Sequence, residues 1–390
     1  MAKRKPSCVK KLLRLAILGT TSYIAILSAL IYFPELQPAL TYLHWVRIPF
    51  GVDWNDGAVG YGFRASTVRN VKIHTSDNVT LGAWHVLPRT SSPSIFADTR
   101  IAGSSEDRFD AALESADRVF LYFHGNSGNR ATGHRTKLYK MIQQLGSSHI
   151  IAVDYRGFAD SDPVYPTEAG VQRDAEATFQ WVLSKGIPQH KIFLIGHSLG
   201  TGVASYLAHR VSNNYRIGGV ILLAPYASMS DAAIGYPIVP LLWPFKHHPA
   251  TTERVKGFVS ERWNSTHYLR ETPGVPLLLV TGSRDFEILP WQARSLFTSS
   301  VSARLSKDIT VPKENVGTAL AKDHPKEVTR HDGYVVRPLV RDEGWLWVAD
   351  RGENGDRDDV WYLEVKHGGH NSVASFQVVE DTLKAFVERK

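Results

Sequence analysis

Gly196-His197-Ser198-Leu199-Gly200 sets a serine between two glycines, directly after the apolar run ending at Ile195 and before a helix-patterned stretch that starts near Leu199. In that setting G-x-S-x-G reads as a nucleophile elbow. The turn is so tight that its flanks must be small, and it lifts the Ser198 hydroxyl to the head of a helix, whose N-terminus favours negative charge. The plain alternative is a structural turn that matches the pattern by chance. A hydroxyl is a weak nucleophile and needs a base held in place by a third group. Asp285, at the end of Thr281-Gly-Ser-Arg-Asp285, follows a later apolar run and is the expected acid. A turn or N-cap aspartate is the other reading of that residue, and Asp231 is the runner-up acid. His370, last in His367-Gly-Gly-His370, is the expected base, with His367 the alternative. An oxyanion hole needs two backbone N–H groups. Leu199, next to the serine, is one expected donor, and Asn126 in the loop His124-Gly-Asn-Ser-Gly-Asn-Arg130 is the other.

Other polar groupings read differently. His367/His370 and His247-His248 have metal-pair spacing but no carboxylate or cysteine partners, so no metal is expected. Asp154 and Arg156 look like a charged turn supporting loops around the site. With one cysteine, Cys8, the chain has no disulfide framework.

These side chains need a scaffold. Arg118–Phe123, His149–Val153, Lys191–Ile195, Gly219–Leu223 and Val275–Val280 are short apolar, β-branched runs, and helix-like stretches at 130–146, 167–185, 199–211 and 291–298 alternate with them. Apolar runs separated by helices predict strands buried on both faces of a mostly parallel sheet, hence an α/β domain. Residues 71–86 alternate like a half-buried hairpin, and 88–116 read as a polar surface loop. The predicted catalytic domain is 66–390. Within it, 226–272 form a cap or lid whose apolar, proline-broken stretch includes Leu241, Leu242 and Trp243, the expected acyl-chain contacts. The charged stretch 300–358 reads as an insertion.

The N-terminus supplies a different signal. The net charge is +7, but six of those charges lie in residues 1–14, so the body is nearly neutral and nucleic acid is not an expected partner. Leu15–Phe33 carries no charge over 19 residues, ~28 Å as a helix. That length suits an uncleaved membrane anchor better than a signal peptide's shorter apolar region. The expected plan is a cytoplasmic basic tail (1–14), a span (15–33), a juxtamembrane linker (34–65) and a catalytic domain outside the cytosol. Two sequons, at Asn78 and Asn264, fit that orientation. Aromatic content of 11% and hydrophobic content of 43% exclude a disordered chain.

Together, Phe123–Arg130, Asp154–Phe158, Pro166–Glu168, Gly196–Gly200 and Ala224–Ser228 resemble the α/β-hydrolase domain proteins. Arg69-Asn70, Val79–Pro88 and Trp263–Thr266 narrow the likeness to the membrane-anchored monoacylglycerol and lysophosphatidylserine lipases of the endoplasmic reticulum. The resemblance implies an α/β-hydrolase fold with a mostly parallel sheet, a lipid-ester substrate, no cofactor and residence in that membrane. Asp285 and His370 are 85 residues apart, more than the family's usual spacing. An acyl-protein thioesterase or a serine peptidase would use the same triad, and an apolar cap favours lipid over peptide. A non-catalytic membrane scaffold is the reading from another class.

Overall fold

A computed structural model describes residues 8–54, 58–64, 66–91, 105–236, 242, 244, 248–272, 274–304, 329–331, 334–350 and 358–389. The strands are β1 (Val68–His74), β2 (Thr80–Val86), β3 (Arg118–Phe123), β4 (Ser148–Val153), β5 (Ile192–His197), β6 (Gly219–Leu223), β7 (Leu277–Gly282), β8 (Thr329–His331), β9 (Tyr334–Arg341), β10 (Gly344–Asp350) and β11 (Val360–Val365). Among the described residues they form one sheet, in the order β1-β2-β4-β3-β5-β6-β7-β11-β10-β9-β8. The inner pairs from β4 to β11 are parallel. The predicted hairpin joins one edge antiparallel, with Val68 opposite Val86 and Ala83 opposite Val153.

The helices are α1 (Cys8–Tyr32), α2 (Gln37–Tyr42), α3 (Ser105–Glu114), α4 (Gly133–Ile142), α5 (Glu168–Ser184), α6 (Leu199–Ser212), α7 (Met229–Gly235), α8 (Pro249–Gly257), α9 (Ser265–Arg270), α10 (Pro290–Arg304) and α11 (Gln377–Glu388). Successive strand residues point to opposite faces, and here both faces are covered. Leu121, Ile151, Leu194 and Leu222 pack with residues of α5, α6 and α10. Phe120, Ile150, Ile195 and Leu223 pack with α4 and α11. This double burial explains why the strand sequences are continuously apolar rather than alternating. Thr167 caps α5, its hydroxyl accepting the Gly170 N–H at 3.2 Å.

The structure departs from the sequence reading in three places. The expected loop at 88–116 contains α3, whose Phe109 and Leu113, one turn apart, are buried. That helix has few apolar positions, which hid it among polar neighbours. The expected linker at 34–65 is packed onto the domain in part: Tyr42 is fully buried, and Trp54 lies under the Arg130 guanidinium, 4.0 Å from its ring centre. In the stretch expected as an insertion at 300–358, α10 runs on to Arg304, and β8, β9 and β10 extend the sheet antiparallel beyond β11. Residues 305–328, 332–333 and 351–357 of that stretch lie outside the described residues.

Candidate active site

The serine turn is shaped by sterics. Ser198, between β5 and α6, sits at φ 52° and ψ −120°, a conformation an L-residue adopts only when its surroundings force it. A Cβ on Gly196 would lie 2.2 Å from the Gly200 carbonyl oxygen, and one on Gly200 would lie 2.0 Å from that of Phe123. Both positions therefore require glycine. The Ser198 N–H donates to Leu223 O at 3.0 Å, which ties the turn to the end of β6.

Asp285 follows β7 and His370 follows β11, two strands that are neighbours in the sheet. The chain distance of 85 residues thus becomes one hydrogen bond, with His370 Nδ1 2.9 Å from Asp285 Oδ2. His370 Nε2 is 2.8 Å from Ser198 Oγ. The other Asp285 oxygen accepts the N–H groups of Glu287 (2.9 Å) and Ile288 (2.8 Å), so the carboxylate cannot rotate freely. Arg284 N–H donates to Gly368 O at 2.9 Å, which joins the acid loop to the histidine loop. All three side chains belong to buried residues.

The loop after β3 lies against Ser198: a Cβ on Gly125 would be 3.1 Å from Ser198 Cβ. The buried Arg135 guanidinium donates to the carbonyls of Gly125 (3.2 Å), Ser127 (2.9 Å) and Asn129 (2.7 Å). Ser127 and Gly128 N–H groups are taken by Tyr42 O (2.9 Å) and Val46 O (2.8 Å). In a planar trans peptide the N–H points opposite the C=O. With Gly125 O turned to Arg135, the Asn126 N–H is directed the other way.

Histidines crowd this end of the sheet. His197 Nε2–H donates to the His370 backbone carbonyl at 3.0 Å. Burial first, and the neighbouring His370 second, hold the His197 ring well below its usual pKa, so it is neutral. His134, 5.3 Å from His197 between ring centres, is pushed down to about 3, by burial and then by Arg135. His124 is also lowered by burial, and its Nε2 lies 3.2 Å from Asp154 Oδ1.

The remaining predicted residues are placed as follows. Asp231 is not in the site; it lies in the first turn of α7 and pairs with Lys256 at 2.8 Å. His367 is exposed. Asp154 is buried against Arg130, and Arg156 binds Asp174 (2.8 Å) and Asp77, which supports the structural reading of that turn. Asn78 and Asn264 are exposed, and Asn264 also caps α9. Leu242 is half-buried, while Leu241 and Trp243 lie outside the described residues. Sequence reasoning missed Glu287, whose Oε2 is 3.9 Å from His370 Nε2 and accepts from Tyr236 at 3.2 Å. It also missed Arg135. Neither stands in a motif, and only the folded loops bring them to the site.

The sequence profile of the alpha/beta hydrolase family matches residues 119–382. The chain is 30% identical over 305 residues to the lysophosphatidylserine lipase ABHD12 of Mus musculus, covering 76% of this chain and 71% of that one. Among solved structures it superposes on an esterase of Pyrococcus furiosus with a TM-score of 0.51 at 16% identity, covering 88% and 97% of the two chains. An alpha-beta hydrolase of Vibrio vulnificus gives 0.52 at 17% identity, covering 70% and 82%. These structural likenesses speak for the fold, and the profile match over most of the chain speaks for the lineage: the chain belongs to the alpha/beta hydrolase family.

Proposed function

We propose that the chain is a membrane-anchored serine hydrolase that cleaves acyl esters of lipids, a monoacylglycerol or a lysophospholipid, through an acyl-enzyme. The observation that carries the reading is the unbroken relay Ser198 Oγ–His370 Nε2–Nδ1–Asp285 Oδ2, at 2.8 and 2.9 Å. Ser198 Oγ attacks the ester carbonyl carbon while His370 Nε2 takes its proton. Asp285 holds the imidazole in the tautomer that leaves Nε2 free to accept, and stabilises the imidazolium that forms. The oxyanion is received by the N–H groups of Leu199 and Asn126, the latter aimed by Arg135. His370 returns its proton to the departing alcohol. Water then repeats the sequence on the acyl-enzyme and releases the fatty acid, so the reaction consumes only water.

The lipid substrate is supported by the likeness to lysophosphatidylserine lipases and by α1. Val9–Tyr32 is long and apolar enough to cross a membrane and has none of its apolar window buried. The apolar cap residues Leu241, Leu242 and Trp243 are the proposed acyl contacts. Basic residues before the span favour a cytosolic tail and a luminal domain in the endoplasmic reticulum. Exposed Asn78 and Asn264 would then carry glycans, which a mobility shift on glycosidase treatment of microsomes tests.

A fluorophosphonate probe should label the wild-type chain and not Ser198→Ala, which removes one hydroxyl from an elbow and leaves no core cavity. The same variant should lose hydrolysis of glycerol and lysophospholipid esters by ~10³-fold or more. Turnover retained above a few per cent would overturn Ser198 as nucleophile. Hydrolysis of thioesters or peptides in preference to lipid esters would overturn the substrate class.

A further inference from the structure

The end of α1 is fastened to the cap rather than hanging free of it. Gln37 Nε2 donates to Leu30 O, in the last turns of α1, and to Phe258 O, each at 2.8 Å. Its Oε1 accepts the Ser260 N–H at 2.8 Å. Tyr165 Oη donates to Glu35 O at 3.2 Å, and the Tyr165 ring meets that of His44 edge-on at 5.2 Å. Three segments distant in sequence (35–45, 165 and 258–260) are therefore joined at the C-terminal end of α1, and 46–50 continues from the first of them.

The surface there is apolar and open. Trp45 is 62% exposed, Phe50 77%, Phe258 53% and Tyr165 44%, with Leu36 and Leu40 about half exposed beside them. A soluble protein seldom gathers large apolar side chains on one face unless something covers it. At ~1.5 Å per residue the 24 residues Val9–Tyr32 extend ~36 Å, against ~30 Å for a bilayer's hydrocarbon core. When α1 spans, its C-terminal end emerges at the interface, and the hydrogen bonds of Gln37 hold Phe258 and Ser260 at that level. Trp and Tyr prefer that depth, because their rings are apolar with one polar tip.

We propose that this face, built by Leu36, Leu40, Trp45, Phe50, Tyr165 and Phe258, rests in the bilayer interface as a second membrane contact. The catalytic domain then lies on the membrane with its cap in the lipid headgroups, instead of swinging on a tether. The same segment reaches the catalytic loop: the carbonyls of Tyr42 and Val46 accept the N–H groups of Ser127 and Gly128. The Tyr42 hydroxyl also donates to Glu261 at 2.5 Å and accepts from Trp263 Nε1 at 3.1 Å. A segment that sits on lipid thus also fixes the loop beside Ser198 and the base of the cap. A lipid ester can enter sideways from the leaflet without crossing water.

The proposal rests on α1 being a membrane span, and its test separates the two. The full chain, with Cys8→Ser to remove the native thiol, receives single cysteines for spin labelling at Phe50, Tyr165, Phe258, Ile24 or Lys384. Each variant is reconstituted in phosphatidylcholine vesicles. Collisions with oxygen, which concentrates in lipid, are compared with those of a water-soluble nickel chelate. Labels at Phe50→Cys, Tyr165→Cys and Phe258→Cys should favour oxygen several-fold over the Lys384→Cys label on α11, and approach the Ile24→Cys label within α1. An aqueous signature at all three face positions, with Ile24→Cys still in lipid, overturns the docked face and spares the anchor. An aqueous signature at Ile24→Cys overturns both. Shielding of the face labels from both reagents would mean that a second copy of the chain covers the face, and overturns the proposal too.

Discussion

His370 and His367 share a loop and a side-chain type, yet their surroundings differ in every respect that matters for proton transfer. His370 is buried between a carboxylate on Nδ1 and a hydroxyl on Nε2, whereas His367 faces solvent. With His370 as the proposed base, its replacement by alanine leaves the Ser198 proton without a destination. The expected loss in kcat/KM on a soluble ester is ~10³-fold or more. His367→Ala should stay within a few-fold of wild type. Steady-state kinetics on the two purified variants decides it, and the reverse order would reassign the base. That Ser198, Asp285 and His370 meet was legible in the sequence, because a serine elbow carries its own glycines and such an elbow calls for a later acid and histidine. Glu287 and Arg135 were not legible. Each acts through loop geometry, one across 3.9 Å to His370 and the other through the carbonyls of Gly125, Ser127 and Asn129, and no spacing in the chain records such contacts.

At the scale of elements, the elbow is where α6 is pressed against the end of β3. Gly200 lies in the first turn of α6, and a methyl group there would sit 2.0 Å from Phe123 O, at the end of β3. Backbone on both sides cannot yield as a flexible side chain would. Gly200→Ala must push α6 away from β3 and carry the Ser198 hydroxyl with it. Fluorophosphonate labelling should fall at least tenfold, and thermal unfolding should come several degrees earlier. Gly133, at the start of α4, offers the control, since a Cβ there meets nothing within 4 Å and Gly133→Ala should be silent. Equal behaviour of the two variants would show that the elbow tolerates displacement. Elements were legible to different depths for a related reason. The inner strands, buried on both faces, announced themselves as apolar runs. Helix α3 lies at the hairpin edge of the sheet, where Phe109 meets His85 and Asp110 pairs with Lys185, buries Phe109 and Leu113 on a single side, and reads as polar loop. Strands β8 to β10 follow the acid loop and α10, where charged sequence masks an extension of the sheet edge.

Across the whole molecule, buried histidines link the fold to pH. His85 Nε2 and His149 Nδ1 lie 2.9 Å apart where the antiparallel hairpin joins the parallel sheet, both rings inaccessible to water. Burial, and then the partner histidine, hold His85 well below the ordinary value, and burial pushes His149 down to about 4. His134, at about 3, and His197 add the same tendency at the active-site end. An unfolded chain protonates its histidines near ~6.5. Because the folded values are lower, the unfolded state binds more protons as the pH falls below that point. The stabilisation is therefore complete above ~6.5 and is lost on acidification, at up to ~1.4 kcal/mol per pH unit for each histidine still neutral in the fold. Asp174, Glu168 and Glu261 act in the opposite sense, since burial raises all three, Asp174 to about 6, and the fold gains from protonating them. Among the described residues they are three against six, since burial also lowers His44 and His124, and their gain builds only as the pH falls from their raised values to the ordinary carboxylate value near ~4. The net expectation is a urea midpoint that falls steadily from pH 7 to pH 4.5. Replacing His149 with glutamine, which keeps a hydrogen-bonding group beside His85 without a titrating ring, should flatten that decline. A midpoint that holds or rises over the same range would mean that the carboxylates, not the histidines, set the acid limit of the fold.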